Sequence, residues 1–269
     1  MLNCLKLNCN IYIMGRILEF TTIQSNAMRT LIEVLKDVLN DVNILFDKTG
    51  MKIMAMDGNH VALIHMKLYA DKFENYVCKD KINVGVSMTA WYKLMKTVNN
   101  SDTVSMFIDS ENSHELGIMI ENADKNSCTT FMLKLLDVDD EQLVIPDVEI
   151  NCVVTMPSND FQRMCRDMSN IGDTVELTST NEGLLFRCSG DFARQETLIG
   201  ETMHGLIFNK KDEEVITGKF ALKYINLFTK STNLCNTIEL YLKPDYPLIL
   251  KYNVANLGEI RFCLAPKCE

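Results

Sequence analysis

The stretch that decides the fold is Phe46-Asp47-Lys48-Thr49-Gly50-Met51-Lys52-Ile53, because a similar stretch occurs a second time. The second copy reads Ser179-Thr180-Asn181-Glu182-Gly183-Leu184-Leu185-Phe186, and its glycine lies 133 residues after Gly50. Each copy is a polar turn that ends in glycine and runs into a strand-like apolar segment, a pattern typical of a β-hairpin. The same hairpin is therefore predicted twice along the chain.

Two further pairs of residues keep the spacing of 133. Gly85 precedes one helical pattern, and Gly218 precedes another. Met28 and Phe161 each lie inside the first helical pattern of their half. A repeat of this length predicts two similar halves, each running helix, strands, helix, strands. The divide is expected near Ile145-Pro146-Asp147.

Apolar residues recur with helical spacing in only four windows, and most of the remaining chain alternates as strands do. Segments such as Thr103–Asp109 and Thr237–Leu242 are typical of that alternation. The predicted class is α+β, with few helices and many strands. The helical windows are Ala27–Asn40, Ser87–Val98, Ser158–Met168 and Gly218–Ser231.

The amino-acid composition argues against several classes of function. The 269 residues include 27 Lys and Arg against 36 Asp and Glu, a net charge of −9, which argues against a chain that coats nucleic acid or anionic lipid over its whole surface. No apolar run reaches the length of a bilayer span, and we expect no secretory signal peptide. The 10 cysteines form no C-x-x-C pair, which favours reduced thiols in a reducing compartment.

The positive charge is concentrated in the helical windows, which hold nine basic and four acidic residues, whereas the rest of the chain holds 18 and 32. Because the apolar stripe of each helix faces a core, its basic residues lie on the opposite face. Lys and Arg on a single helix usually mean only a solvated surface. Four such helices in an acidic chain favour contact with a polyanion through its phosphates, without sequence reading.

The sequence gives little support for a catalytic site. Asp137, Asp139, Asp140 and Glu141 lack the glycine-bearing loop of a calcium site. The lone His60 is better explained as a wall residue than as a catalyst. No phosphate-binding loop, nucleophile elbow or Cys/His zinc set is present. We expect a protein that is not an enzyme and has neither metal nor cofactor.

The chain from about Met14 onwards resembles the proliferating cell nuclear antigen family of eukaryotic-type DNA sliding clamps. Order and spacing agree across both halves, so the resemblance does not rest on one motif. The matching stretches are Met56–Leu63, Met132–Asp137, Glu141–Pro146, Met156-Pro157-Ser158, Cys165-Arg166-Asp167, Ile171-Gly172-Asp173, Phe228-Thr229-Lys230 and Leu264–Lys267.

The resemblance implies a closed ring of three subunits, with sheets outside and helices lining a pore around duplex DNA. It divides the chain into an unmatched extension (1–13), an N-terminal clamp domain (14–134), an interdomain connector (135–147) and a C-terminal clamp domain (148–269). The basic residues that it places in the pore are Arg29, Lys36, Lys93, Lys96, Arg163, Arg166, Lys223 and Lys230. Lys219 is a weaker candidate.

Two protein-binding surfaces are also implied. Clamp partners such as a polymerase, clamp loader, flap nuclease or ligase insert short motifs with aromatic and aliphatic side chains into a pocket beside the connector. The pocket residues expected here are Met56, His60, Val61, Leu63, Leu143, Ile145, Pro146, Pro247, Ala265, Pro266 and Lys267. The subunit interface is expected to pair two strand edges, with Cys128, Thr130, Phe131 and Leu133 on one edge and Thr197 and Ile199 on the other.

The chain departs from the family pattern at two places. Asn181 occupies the position of the lysine that receives ubiquitin-type modification, so this modification is not expected. The usual acidic tail does not follow Lys267. The expected location is the nucleus, or a viral replication compartment. Two alternatives on the same fold are a subunit of a heterotrimeric checkpoint-type clamp and a monomeric processivity factor.

Overall fold

The computed structural model describes residues 15–139, 143, 149–203, 205–210 and 215–267, apart from the side chain of Lys210. The predicted N-terminal extension lies outside these residues. So does most of the second half of the predicted connector.

The described chain contains eighteen strands, four α-helices and two 3-10 turns. The first half comprises β1 (Arg16–Thr22), α1 (Ser25–Val38), β2 (Asp41–Asp47), β3 (Gly50–Met56), β4 (Ala62–Tyr69), a 3-10 turn (Ala70–Lys72), β5 (Asn75–Cys78), β6 (Ile82–Ser87), α2 (Met88–Met95), β7 (Thr103–Asp109), β8 (Asn112–Asn122) and β9 (Ser127–Lys134). The second half comprises β10 (Cys152–Pro157), α3 (Ser158–Ser169), β11 (Thr174–Ser179), β12 (Leu184–Ser189), β13 (Arg194–Ile199), β14 (Ile207–Lys210), β15 (Ile216–Ala221), α4 (Leu222–Phe228), a 3-10 turn (Thr229–Asn233), β16 (Thr237–Leu242), β17 (Leu248–Val254) and β18 (Gly258–Leu264).

The repeat seen in the sequence is present in the structure. Helices α1 and α3 begin at Ser25 and Ser158, 133 residues apart. The hairpin glycines have matching left-handed backbones, with φ of 136° at Gly50 and 153° at Gly183. A Cβ atom at Gly50 would lie 1.9 Å from the carbonyl oxygen of Leu68, so this turn requires glycine.

The strands form three sheets, one of which spans both halves. A five-stranded sheet has the order β5-β1-β7-β8-β9, and a four-stranded sheet has the order β13-β12-β11-β15. The nine-stranded sheet has the order β14-β10-β16-β17-β18-β4-β3-β2-β6. Its centre is the antiparallel pairing of β18 with β4, which runs over seven residue pairs from Gly258 and Leu68 to Leu264 and Ala62.

The four helices pack together across the two halves. Helix α1 contacts α2, α3 contacts α4, and α1 also contacts α4 and the 3-10 turn that follows it. Each helix buries its apolar stripe, for example Met28, Leu31 and Leu35 in α1. None of the described helices has the length and apolarity that a membrane crossing requires.

The fourth helical window was predicted to start too early. The residues from 216 to 221 belong to strand β15, in which Lys219 pairs with Glu176 and Phe220 with Val175. Phe220 is buried in the core by strand alternation, and the helix begins only at Leu222. Lys219 is therefore a strand residue and does not lie on the helical face.

A buried carboxylate links the halves a second time. Asp57, which follows β3 and is 5% exposed, accepts hydrogen bonds from the backbone N–H groups of Asn59, Val61 and Ala62 at 2.7 to 3.1 Å. The Tyr224 hydroxyl of α4 donates to Asp57 Oδ2 at 3.0 Å. Burial by itself raises the pKa of the Asp57 carboxyl, but the three amide donors and the Tyr224 hydroxyl together outweigh burial and hold the pKa below its usual value.

We expect Asp57→Asn to lower the free energy of unfolding by about 2 kcal/mol at pH 7, because an amide nitrogen at the Oδ2 position cannot accept the Asn59 N–H. A depressed carboxyl pKa stabilises the fold above the unfolded value near pH 4, and this contribution disappears as the pH falls through the folded value. The difference from the wild type should therefore shrink below about pH 4. Urea unfolding at fixed protein concentration over a pH series measures both effects.

Asp80→Asn is the matched control, since Asp80 is exposed between β5 and β6. It should change the unfolding free energy by less than about 0.5 kcal/mol at every pH. Equal stability of Asp57→Asn and wild type at pH 7 would contradict the role assigned to this carboxylate.

Candidate functional site

The eight predicted pore residues lie on the packed helices or directly beside them. Seven of them lie within a helix or at its end. The one at an end is Lys96, which is the C-cap of α2. Lys230 lies in the 3-10 turn after α4. The structure thus brings all eight to one helical layer that both halves build.

Four of these residues are exposed and form no ion pair with another described residue. They lie on α2, α3 and α4. The ammonium of Lys223 lies 4.8 Å from the ring centroid of its neighbour Tyr224, a cation–π contact that leaves its charge in place. The four residues are Lys93, Lys96, Arg166 and Lys223.

The other four are engaged within the chain. Arg29 donates to the carbonyl oxygen of Val98 at 2.8 Å and to Asn26 Oδ1 at 2.6 Å. Its guanidinium therefore connects α1 to the segment that follows α2. Arg163 pairs with Asp160 one turn earlier on α3, at 2.9 Å. Lys36 and Lys230 both pair with Asp37. The eight basic residues therefore differ in whether a group of the chain already binds their charged end.

Five of the eleven predicted docking residues line two clefts. The larger has a volume of about 340 Å³, and its walls include Met56, His60 and Leu143. The smaller has a volume of about 70 Å³ and is lined by Pro247 and Pro266.

The β3–β4–β18 pairing connects these two clefts. Leu63 lies opposite Met56 in the β3–β4 pair. The Ala265 N–H donates to the Val61 carbonyl at 3.0 Å, just beyond the β4–β18 pairs. Ile145 and Pro146 lie outside the described residues.

Lys267 is placed differently from the other docking candidates. Its ammonium donates to Thr174 Oγ1 at 2.7 Å, and its N–H donates to the Lys219 carbonyl at 2.8 Å. The last described residue thus turns toward β11 and β15, and its charge lies in neither of the two clefts.

The structure adds cleft residues that the sequence did not indicate. Asn43 on β2 donates through its side-chain amide to the Val138 carbonyl at 2.9 Å and so ties the start of the connector to the larger cleft. Phe220 and Tyr246 line the smaller cleft. Only tertiary packing reveals them, because the sequence pattern places Phe220 in a predicted helix and offers no reason to single out Asn43 or Tyr246.

The predicted interface residues lie on two sheet edges. Among the described strands, β9 pairs only with β8, and β13 pairs only with β12. Both edges expose apolar side chains, with Met132 42% and Leu198 49% exposed. Beside β13 an open cleft of about 370 Å³ is lined by Met156 and Met164 near α3 and by Thr197 and Ile199. As terminal strands of their described sheets, β9 and β13 can accept another strand along their outer edges.

The described part of the chain contains no cluster of three or more His, Cys, Asp and Glu side chains arranged to hold a metal ion. Among the described residues, the features that stand out are a helical layer with four cations outside any described ion pair, two clefts beside the joint between the halves, and the sheet edges at β9 and β13.

Comparison with known proteins agrees with this two-part architecture. The family model "Proliferating cell nuclear antigen, N-terminal domain" matches residues 17–142, and the model "Proliferating cell nuclear antigen, C-terminal domain" matches residues 144–267. A protein of Paramecium bursaria Chlorella virus 1 named "Probable DNA polymerase sliding clamp 1" is 36% identical over 249 residues, which cover 91% of this chain and 95% of that protein. The chain has the α+β clamp fold with two similar domains, and it belongs to the proliferating cell nuclear antigen family.

Proposed function

We propose that this chain is a DNA sliding clamp: three copies close into a ring around duplex DNA and tether a polymerase and other replication and repair enzymes. Its similarity to a probable DNA polymerase sliding clamp over most of both chains supports this function. The observation that supports closure into a ring comes from the structure. The edges left open at β9 and β13 are the counterparts of the two strands already paired inside the chain.

The equivalence follows from strand order. Phe131 on β9 pairs with Ile118 of the preceding strand, and Phe262 on β18 pairs with Leu250 of its preceding strand. In the same way β13 follows β12 as β4 follows β3. Since β4 and β18 join the two halves, β13 of one copy and β9 of the next are expected to join copies by the same antiparallel pairing.

The internal joint also predicts the register between copies. Within the chain Glu259 lies opposite Lys67. Glu259 corresponds to Cys128 when β18 is aligned on β9, and Lys67 corresponds to Leu198 when β4 is aligned on β13. Cys128 should therefore face Leu198 of the neighbouring copy. The same register turns Phe131 toward the side of β13 that carries Thr197 and Ile199, where the cleft beside α3 can receive its ring.

We expect Leu198→Cys to form a disulfide with Cys128 of the next copy under mild oxidation. Residues directly opposite in an antiparallel pair have Cα atoms about 4.5 to 5.5 Å apart, within the range that a disulfide requires. Denaturing gels without reductant should show two-chain and three-chain species, and native mass should be 92.1 kDa, three times 30.7 kDa.

The matched control is Leu198→Cys combined with Cys128→Ser, which should give no covalent species. A persistent mass of 30.7 kDa would favour a monomeric processivity factor or a subunit of a heterotrimeric clamp. Covalent species that also form in the control would contradict the proposed register.

Within such a ring the helical layer faces the duplex. The unpaired lysines and arginine can contact phosphates without reading bases, so the ring holds DNA weakly and is free to slide. The acidic remainder of the chain repels DNA elsewhere and favours the threaded arrangement. Because the ring encircles the duplex, it stays on the DNA while it slides, which gives processivity. Tethering to the ring raises the effective concentration of the bound polymerase at the DNA.

We expect Lys93→Glu with Lys96→Glu to weaken duplex binding at least tenfold in 50 mM salt, because two attractive side chains per subunit become repulsive toward phosphate. The slope of log affinity against log salt should become shallower by about 0.9 for each phosphate that the variant no longer neutralises. Fluorescence anisotropy with a labelled duplex over a salt series measures both quantities.

Lys79→Glu with Lys81→Glu makes the same charge change between β5 and β6, outside the helical layer. This control should bind DNA within about threefold of wild type. Equally weakened binding in the two variants would show that net charge alone, and not the helical layer, governs DNA binding.

The two clefts suit a short partner segment with apolar side chains, since the smaller cleft is mostly apolar and the larger one combines Met56 and Leu143 with polar side chains such as Asp41. We propose that polymerase, clamp loader, flap nuclease and ligase dock here. The chain itself then contributes no catalysis, and chemistry is supplied by the docked enzyme. The proposed location is the nucleus or a viral replication compartment.

We expect Met56→Glu to weaken binding of a labelled peptide with such side chains at least tenfold, because a carboxylate would enter the apolar wall of the larger cleft. Val77→Glu is the control, because Val77 is 43% exposed on β5, away from both clefts. Unchanged peptide affinity in Met56→Glu would exclude this cleft as the docking site.

A further inference from the structure

We propose that Asp37 weakens the binding of this clamp to DNA by holding Lys36 and Lys230 in ion pairs, so that these two lysines contribute less to phosphate contact than Lys93, Lys96, Arg166 and Lys223. The inference rests on the proposed clamp function and goes beyond it, since it divides the basic residues into contacting and masked sets. Asp37 thereby acts as a residue that tunes sliding.

The geometry engages both carboxylate oxygens. Lys230 Nζ lies 2.5 Å from Asp37 Oδ2, and Lys36 Nζ pairs with Oδ1. Asp37 lies on α1, whereas Lys230 lies in the 3-10 turn after α4, so the second pair crosses the two halves. The side chains of Asp37 and Lys36 are 19% and 22% exposed, whereas that of Lys230 is 49% exposed. Salt therefore screens the partly buried Lys36 pair less than the Lys230 pair.

Lys36 is restrained from a second side. Its ammonium lies 4.7 Å from the ring centroid of Tyr92 on α2, and the Tyr92 hydroxyl donates to Glu33 Oε1 at 3.1 Å. We call Glu33, Lys36, Asp37, Tyr92 and Lys230 the masked cluster. It holds two cations and two anions, so this part of the helical layer has no net charge to offer a phosphate.

Asp37 stays ionised under the conditions in which a clamp works. Burial raises the pKa of its carboxyl, but the ammonium groups of Lys230 and Lys36 outweigh burial and lower it. A phosphate that drew Lys230 away would leave the partly buried carboxylate short of a partner, and that carboxylate would repel the phosphate. Both effects keep the lysines where they are.

The four cations outside this cluster differ from Lys36 and Lys230 because they form no ion pair with another described residue. They are exposed, as Lys230 also is, and all four lie on α2, α3 and α4. A duplex would therefore contact cations on these three helices and pass a neutral patch on α1. Fewer simultaneous contacts mean weaker binding and faster movement along the backbone.

The test compares Asp37→Asn with Asp167→Asn in duplex binding over a salt series. Asp167 is an exposed acid on α3 that forms no ion pair with another described residue, so its substitution makes the same charge change without releasing a lysine. We expect Asp37→Asn to steepen the salt slope by up to about 1.8 per engaged subunit, from two released lysines at 0.9 each. Asp167→Asn should leave the slope unchanged.

A second pair of variants decides the question if Asp37→Asn does not fold. Lys230→Gln should leave the salt slope of the otherwise wild-type chain nearly unchanged, because it removes no phosphate contact, whereas Lys223→Gln should make the slope shallower by about 0.9 per engaged subunit. Circular dichroism and native mass establish that each variant is folded and assembled as the wild type is.

The outcomes separate the two proposals. A wild-type chain that binds no duplex at any salt concentration would overturn the clamp function itself. Normal wild-type binding with equal slopes for Asp37→Asn and Asp167→Asn, or equally shallow slopes for Lys230→Gln and Lys223→Gln, would overturn the masking role alone.

Discussion

The antiparallel pairing of β4 with β18 is the contact on which the rest of this molecule depends. It joins two similar halves into one nine-stranded sheet, and by doing so it brings the four helices into a single layer. It also places Met56, Leu63 and Val61 of the first half beside Ala265 and Pro266 of the second, where the two clefts lie. Strands β9 and β13, the counterparts of β18 and β4, lie at the ends of their sheets, and in the proposed ring they repeat this pairing between copies.

In the helical layer, the immediate neighbours of each basic residue decide whether its charge is paired. The basic residues look equivalent when they are counted, but the structure divides them by what stands next to each one. Arg29 serves the α1–α2 contact, and Asp37 binds two lysines across the halves. A clamp that must hold DNA and still move along it has a use for both kinds of cation, because every additional phosphate contact raises affinity and slows sliding.

The sequence predicted the repeat and most of the elements because both arise from local periodicity. Gly50 and Gly183 marked equivalent hairpins, and the apolar stripes of α1 and α3 marked equivalent helices. The prediction failed at Lys219, because Phe220 and its neighbours fit a helical spacing as well as a strand, and only pairing with β11 decides between them. Lys267 shows the same limit, since a hydrogen bond to distant Thr174 sets its direction.

By itself the sequence determined the two-part α+β fold, the positions of the helices and the concentration of positive charge on them, since spacing and composition are properties of neighbouring residues. The family resemblance added the candidate surfaces. Tertiary structure decided which lysines are neutralised, how two clefts adjoin one strand joint, and which edges stay open. Those features depend on residues such as Asp37 and Lys230, 193 positions apart, and no local pattern records that they meet.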